Sequence, residues 1–135
     1  MNLNQIHNVY FVGIGGIGMS ALARYFKAIG KQVSGYDKTP SILTSELIES
    51  GISIHFEDSV ALIPKEYQPD NTLVIITPAV PKSHAEWNYF LNNGFDGEQP
   101  IFNVEFELHR THLKQYNINT IDDLFLNAKN LFQQS

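Results

Sequence analysis

A glycine loop between an apolar run and a helical pattern is the sequence feature that most constrains this fold. Residues Asn8 to Ile14 form a compact run rich in Val, Tyr and Phe, which is typical of a buried parallel strand. From Met19 to Ile29 apolar residues recur at helical spacing, and Gly30 follows as a left-handed helix cap. A glycine loop at such a strand-to-helix junction is typical of folds that bind a nucleotide through its phosphates.

The alternation of strands and helices continues along the chain. We predict further strands at Gln32 to Tyr36, at Ile52 to Phe56 and at Thr72 to Ile76, and one short helix in the connector before the last of them. This alternation predicts an α/β fold with a Rossmann-like parallel sheet and helices on both faces.

Turn and cap residues set the expected bounds of the second and third helices. Thr39-Pro40 predicts an N-cap followed by proline at the first helical position, and Gly51 closes that second helix. Ser83-His84-Ala85-Glu86 has the pattern of a capping box that opens a third helix, which Gly94 ends. A local structural role for His84 in this box is favoured over a ligand contact.

The polar segment Asp96 to Pro100 divides the chain into a main domain, residues 1–98, and a tail, residues 99–135, packed on the same domain. Within the tail, Ile101 to Leu108 predicts one further strand. The last residues predict a C-terminal amphipathic helix that is capped at Thr120 and has one apolar face, formed by Ile121, Leu124, Phe125, Ala128, Leu131 and Phe132. That face is either part of the core or a homodimer contact.

Composition limits the classes of function. The 135 residues, 43% of them hydrophobic, suffice for one domain with a core, and no apolar run is long enough to cross a bilayer. A net charge of −5 with nine Lys plus Arg argues against a nucleic-acid surface. The absence of cysteine excludes disulfides and thiolate metal ligands. Residues Met1 to Gln5 lack the features of a secretory signal, so we expect a cytoplasmic protein.

The glycine loop predicts binding of phosphates without their transfer. Gly13, Gly15 and Gly18 fill the three positions of the dinucleotide fingerprint, and Asp37 ends the next strand, where an acid accepts hydrogen bonds from ribose. No lysine follows a glycine in the Walker arrangement, so the phosphates would be a handle and not the reacting group. The alternative is a glycine turn that serves only close packing.

Four segments resemble the UDP-N-acetylmuramate:L-alanine ligases of the Mur ligase family, which act in peptidoglycan synthesis. They are "HNVYFVGIGGIGMSALARYF", "VSGYD", "LIESGISIHF" and "LVIITPAVP", which together extend over about residues 6–95. The doubled Gly15-Gly16 followed by Met19-Ser20 is more specific than the generic dinucleotide loop.

The resemblance implies that residues 1–98 bind UDP-N-acetylmuramate. It places backbone amides and the Ser20 hydroxyl on the pyrophosphate, Asp37 on the uridine, and Thr77-Pro78-Ala79 on the facing wall of the cleft. The loop residues that it implies are Gly13, Gly15, Gly16, Ile17, Gly18, Met19 and Ser20. One departure is Asp58, which stands where many relatives have a histidine near the uridine.

The family continues into an ATPase domain with a G-T-H-G-K-T loop and a C-terminal domain, and neither is present in these residues. The resemblance therefore implies ATP and Mg for the full-length enzymes, with no catalytic residue, no cofactor and no metal in this chain, which should be inactive alone. Two alternatives stay open: an NAD-binding regulatory module, and a non-catalytic interaction protein that uses the terminal helix.

The tail contains three weaker candidate sites, each with a simpler explanation. His109 and His112 have a metal-ligand spacing but no third ligand, which favours solvated surface histidines. Glu105 and Glu107 would share a strand face, and an exposed edge explains this carboxylate pair. The adjacent acids at positions 122–123 would stabilise a helix N-terminus.

Overall fold

The structure is a computed structural model that describes residues 5–77, residues 79–95 and the backbone of the strand Phe102–Asn103. Its strands form one five-stranded sheet in the order β3-β2-β1-β4-β5, and all of the pairs are parallel. The strands are β1 (Asn8–Val12), β2 (Gln32–Tyr36), β3 (Ser53–His55), β4 (Thr72–Ile76) and β5 (Phe102–Asn103).

Three α-helices and one short 3-10 helix connect these strands. The helices are α1 (Ile17–Ala28), α2 (Ile42–Glu49) and α3 (Ala85–Asn92), and the 3-10 helix is Val60–Leu62. Strands and helices alternate from β1 to α3, as the sequence predicts. The α/β class and the parallel sheet are therefore confirmed.

The sheet carries a hydrophobic core on each face, because side chains alternate along every strand. On one face Val9 and Phe11 of β1 pack with Phe26 of α1 and Leu47 of α2. The second face has its own set of buried residues, which includes Tyr10 and Val12 of β1, Tyr67 from the connector, and Phe90 and Phe95 from α3 and its end. The strands β1 and β4 are buried along their whole length, which explains their nearly continuous apolar sequences.

The strand order creates a crevice at the carboxyl edge of the sheet. From β1 the chain proceeds to β2 on one side, while β4 pairs with β1 on the other side. Ligands of open α/β sheets bind at such a point, outside the carboxyl ends of the strands. The loops after β1, β2 and β4 are therefore expected to form a ligand-binding site.

Two predicted helix caps are wrong. The N-cap of α2 is Ser41 and not Thr39, and Pro40 precedes the cap. The Ser41 hydroxyl accepts a hydrogen bond from the Thr44 amide, and Thr44 Oγ1 accepts one from the Ser41 amide at 2.8 Å. The N-cap of α3 is His84 and not Ser83. In both cases the chain reaches helical geometry one or two residues later than the pattern indicated.

The predicted glycine caps are confirmed, because Gly30, Gly51 and Gly94 all have positive φ. The first strand ends at Val12, two residues before the predicted end, where Gly13 adopts a φ of +95°. The strand predicted at Ile101 to Leu108 contains β5, which adds to the same sheet.

Several predictions lie outside the described residues. They concern Pro78, the terminal helix with its homodimer contact, and the tail side chains Glu105, Glu107, His109, His112, Asp122 and Asp123. Within the described parts of the chain, no helix combines the length and apolar character needed to span a bilayer. Across the same parts, His, Asp and Glu side chains nowhere form a group that could hold a metal ion.

Candidate functional site

The glycine loop after β1 is held between β2 and β4. The amides of Gly13 and Ile14 both donate to the Tyr36 carbonyl at the end of β2, at 2.8 and 3.0 Å. Gly13 has a φ of +95°, and a Cβ at this position would overlap the methyl group of Thr77, which follows β4. Only glycine fits here, because both the backbone conformation and the neighbouring side chain exclude a Cβ.

The acid at the end of β2 binds the loop directly. Asp37 Oδ1 accepts from the Gly15 amide at 2.8 Å, and its Oδ2 accepts from the Thr39 amide at 3.1 Å. A Cβ at Gly15 would lie 2.8 Å from the same Oδ1 atom and 3.0 Å from the Thr44 methyl group. Gly15 is therefore required for the contact between the loop and its acid.

The start of α1 presents unpaired backbone amides. Gly16 is the N-cap residue and has no side chain that could accept a hydrogen bond from these amides. The first backbone hydrogen bond of the helix is the one from Ser20 N to Gly16 O, at 2.8 Å. The amides of Ile17, Gly18 and Met19 consequently have no intrahelical acceptor. They lie at the positive end of the helix dipole, where an anion is favoured.

The side chains of this first turn do not contribute polar groups to the cleft. Ile17 is 78% exposed, whereas Met19 and Ser20 are buried. The Ser20 hydroxyl donates to the Ile17 carbonyl at 2.9 Å, so in this structure it serves its own helix. An anion at this point would be bound by the backbone of the loop.

A cleft of about 240 Å³ opens beside the loop, at the carboxyl ends of β1, β2 and β4. Five of the predicted site residues line it: Gly13, Gly16, Asp37, Thr77 and Ala79. The other described ones do not line the cleft and belong to the loop and the first turn of α1: Gly15, Ile17, Gly18, Met19 and Ser20.

Sequence reasoning missed four residues that line the cleft: Tyr36, Lys38, Val80 and Pro81. Tyr36 and Lys38 flank Asp37 in the sequence, and Val80 and Pro81 follow the predicted wall Thr77-Pro78-Ala79. This adjacency was the signal that could have identified them. Lys38 is exposed and brings a positive charge to the cleft, beside the carboxylate of Asp37. That cation is suited to an anionic ligand, although the chain as a whole is acidic.

His84, the N-cap of α3, also lines the cleft. Its Nδ1 accepts from the Trp87 amide at 3.3 Å, and its ring lies against Tyr36 with the centroids 4.6 Å apart. Asp58 stands beside it: the carboxylate accepts from the amides of Ala85 and Glu86 at 2.7 and 3.0 Å. Asp58 therefore binds the N-terminus of α3, as an N-terminal acid does.

Behind this wall lies a buried polar network around Glu86, whose side chain is fully buried. The carboxylate accepts from the Tyr10 hydroxyl and from the Ser59 amide at 3.1 Å, and it lies 2.7 Å from His55 Nε2. These partners come from β1, β3 and the connector. The network therefore ties α3 to the sheet, and a buried network of this kind is stable only when each member is satisfied.

Burial and nearby acids raise the pKa of two tyrosines near the cleft. Burial raises the pKa of Tyr10 above its ordinary value, and the negative charge of Glu86 and the hydrogen bond to it add to this effect. Burial also raises the pKa of Tyr36, with the charges of Asp58, Glu86 and Asp37 acting in the same direction. Both hydroxyls are therefore neutral hydrogen-bonding groups at physiological pH.

Comparison with known proteins identifies the family to which the chain is similar. The family model described as "Mur ligase family, catalytic domain" matches residues 8–99. The chain is 83% identical over 95 residues to the UDP-N-acetylmuramate–L-alanine ligase of Flavobacterium psychrophilum, which covers 70% of the chain and 21% of that protein. It is 61% identical over 97 residues to the enzyme of the same name from Parabacteroides distasonis, covering 71% and 21% respectively. The chain thus spans about a fifth of the length of the curated relatives it matches.

Solved structures agree on the fold. The UDP-N-acetylmuramate–alanine ligase of Thermotoga maritima is similar with a TM-score of 0.61 and 31% identity, over 80% of this chain and 23% of that one. A ligase from Neisseria meningitides that is named for UDP-N-acetylmuramate:L-alanyl-gamma-D-glutamyl-meso-diaminopimelate matches with a TM-score of 0.60 at 22% identity, over 73% of this chain and 28% of that one. The second likeness concerns the fold alone.

Proposed function

This chain belongs to the Mur ligase family, ligases of peptidoglycan biosynthesis, and from that membership we propose that its cleft binds UDP-N-acetylmuramate for a UDP-N-acetylmuramate–L-alanine ligase. The observation that carries the proposal is the start of α1, where a glycine N-cap leaves three amides without an intrahelical acceptor beside the cleft. The names of the relatives supply the identity of the ligand.

In this proposal each wall of the cleft has one role. The amides of Ile17, Gly18 and Met19 bind the diphosphate, and Asp37 accepts hydrogen bonds from a ribose hydroxyl with the lone pairs that Gly15 and Thr39 leave available. The turn that begins at Thr77 forms the opposite wall. The phosphates are bound and not attacked, because no Walker lysine follows the loop.

The contribution of these residues to the ligase reaction is orientation. A ligase of this class joins a carboxylate to an amine with ATP and Mg, and those steps belong to parts of the enzyme other than the residues of this cleft. Fixing the UDP-sugar at its diphosphate restricts where its carboxylate can be, and positioning of reactants lowers barriers by several kcal/mol.

Calorimetric titration of the chain with UDP-N-acetylmuramate, UDP and NAD tests the proposal. We expect binding of the two uridine ligands and none of NAD. In thermal unfolding, a ligand at about 100 times its dissociation constant should add about 2.7 kcal/mol of stability. Binding of NAD alone would support the regulatory module instead, and no binding of any of the three would favour an interaction protein.

Two substitutions at Asp37 separate its role in the loop from its role with the ligand. Asp37→Asn keeps an oxygen that accepts from the Gly15 amide and loses only the acceptor for the solvent-exposed Thr39 amide, so the loop and the melting temperature should change little. It replaces a charged acceptor by a weaker one, so affinity for UDP should fall by about 1 kcal/mol or more. Asp37→Ala removes both contacts and should reduce stability as well. Unchanged affinity in Asp37→Asn would exclude a ribose contact.

A further inference from the structure

His84 has a buried nitrogen for which the structure gives no protein partner. Its side chain is only 4% exposed, and it forms part of the wall of the cleft. No hydrogen-bond partner for Nε2 is present among the described residues. Buried polar atoms are nearly always paired, so an unpaired one in the wall of a cleft indicates a missing partner.

The other ring nitrogen fixes which group is missing. The backbone amide of Trp87 can only donate, and its bond to Nδ1 therefore makes Nδ1 the acceptor. In the neutral ring the proton is then on Nε2, which becomes a donor without an acceptor. Nε2 therefore requires a hydrogen-bond acceptor on the ligand.

The position of the ring indicates which part of the ligand supplies the acceptor. His84 lies against Tyr36, the last residue of β2, and Tyr36 directly precedes Asp37. The amides that are proposed to bind the diphosphate follow Gly16, at the start of α1. The ring of His84 is thus close to the residue that would bind ribose, together with an aromatic side chain on which a base can pack.

We propose that His84 is a ligand-binding residue of this site, whose Nε2–H donates to an acceptor oxygen of the nucleoside half of the bound uridine nucleotide. This inference rests on the proposed function and adds to it a contact on which recognition of the nucleoside depends. The protein holds the ring in a fixed position, because Nδ1 caps α3 and Asp58 binds the two amides that follow His84 in the chain.

The substitution His84→Asn tests the contact while it preserves the cap. Asparagine is among the best N-cap residues and can accept from the Trp87 amide in the same way, but it does not place a donor at the position of Nε2. We expect an unchanged melting temperature and an affinity for UDP that is about 10-fold weaker or more, as for loss of one buried hydrogen bond. His7→Asn, the same replacement at an exposed histidine outside the cleft, should bind like the wild type.

Titration with both UDP and UDP-N-acetylmuramate locates the contact. Equal losses for the two ligands in His84→Asn support a contact to their shared nucleotide. A loss for UDP-N-acetylmuramate alone would overturn the assignment to the nucleoside, and wild-type affinity for both would overturn the contact altogether. If the wild type binds neither ligand, the proposed function fails together with this inference.

A second measurement does not depend on the variant folding. Nitrogen-15 NMR of the histidine rings in the wild-type chain should show the His84 Nε2–H and a change of its chemical shift when UDP is added. A His84 Nε2 signal that does not move on saturation with UDP, while amide signals of the glycine loop do, would contradict a direct contact.

Discussion

Two loop glycines line the cleft, Gly13 and Gly16. A substitution at Gly16 should change ligand binding without changing the fold. Its φ of −66° and ψ of 156° are ordinary for any residue. A Cβ built on Gly16 would meet only the Met19 side chain, at 3.7 and 3.8 Å, which is normal van der Waals contact. The substitution Gly16→Ala should therefore leave the structure intact.

The expected change in stability is small, because two effects oppose each other. Alanine is a poorer N-cap than glycine by about 0.5–1 kcal/mol. Replacing glycine also reduces the entropy of the unfolded chain, which stabilises by about 0.4–1 kcal/mol. The free energy of unfolding should thus stay within about 0.5 kcal/mol of the wild type.

The expected change in binding is large. Gly16 is exposed and lines the cleft next to the unpaired amides, so a methyl group there keeps phosphate oxygens away from them. Loss of two hydrogen bonds to a charged group corresponds to at least about 3 kcal/mol, or about 100-fold in affinity for UDP. Calorimetric titration and urea unfolding of the same samples measure both quantities.

The control is Gly13→Ala, in which the side chain overlaps Thr77 at a positive φ. It should lose about 2 kcal/mol or more of stability, and any loss of binding would accompany unfolding. The reasoning is refuted if folded Gly16→Ala binds UDP as tightly as the wild type, because the ligand would then lie away from the start of α1.

Three further predictions concern the supporting structure. Glu86→Ala removes the carboxylate that accepts from the Tyr10 hydroxyl and the Ser59 amide, and should lower the free energy of unfolding by about 2 kcal/mol or more in urea titrations; a loss under about 1 kcal/mol would mean that the network is not maintained in solution. Ser41→Ala should cost about 1 kcal/mol in the same assay, whereas Thr39→Ala should cost little, and the reverse order would restore the cap predicted from the sequence. Burial raises the pKa of Tyr67 to about 12, so the unfolded chain loses this proton first and stability falls as the pH rises above about 10. In Tyr67→Phe that fall should be shallower by about 1.4 kcal/mol per pH unit, measured by denaturant unfolding between about pH 10 and 12; equal slopes would show that the tyrosine titrates alike in both states.

The fold was predictable because the sequence signals were local. The runs that became β1 and β4 are continuous and apolar, as expected of strands buried on both faces, and Gly30 and Gly51 marked helix ends with the conformation that favours glycine. The helix caps were less predictable. Several Ser and Thr residues near each start can cap a helix, and only the path of the preceding loop decides which one does.

The site was predictable only in part, for a related reason. The loop glycines and Asp37 have a recognisable spacing, but the rest of the cleft depends on contacts between distant segments. The capping box predicted at Ser83-His84-Ala85-Glu86 would use Glu86 at the start of its own helix. Instead its carboxylate binds Tyr10, 76 positions away, and His55, 31 positions away, which no short pattern encodes. Tyr36 lies next to Asp37 in the sequence, but only the fold shows that its ring packs against His84 in the wall of the cleft.

The walls of the cleft are bonded to one another within the protein. Gly13 N binds the Tyr36 carbonyl, Gly15 N binds Asp37, and Thr77 N binds the Val12 carbonyl at 3.3 Å, so the loops after β1, β2 and β4 determine each other's positions. A nucleotide that enters this cleft therefore meets amides that are already oriented, and binding requires little ordering of the loop. Asp37 accepts a hydrogen bond from the glycine loop and is also the proposed acceptor for the ribose. The nucleoside and diphosphate ends of the site are therefore coupled through this side chain. A change at either end should thus affect affinity for both halves of UDP.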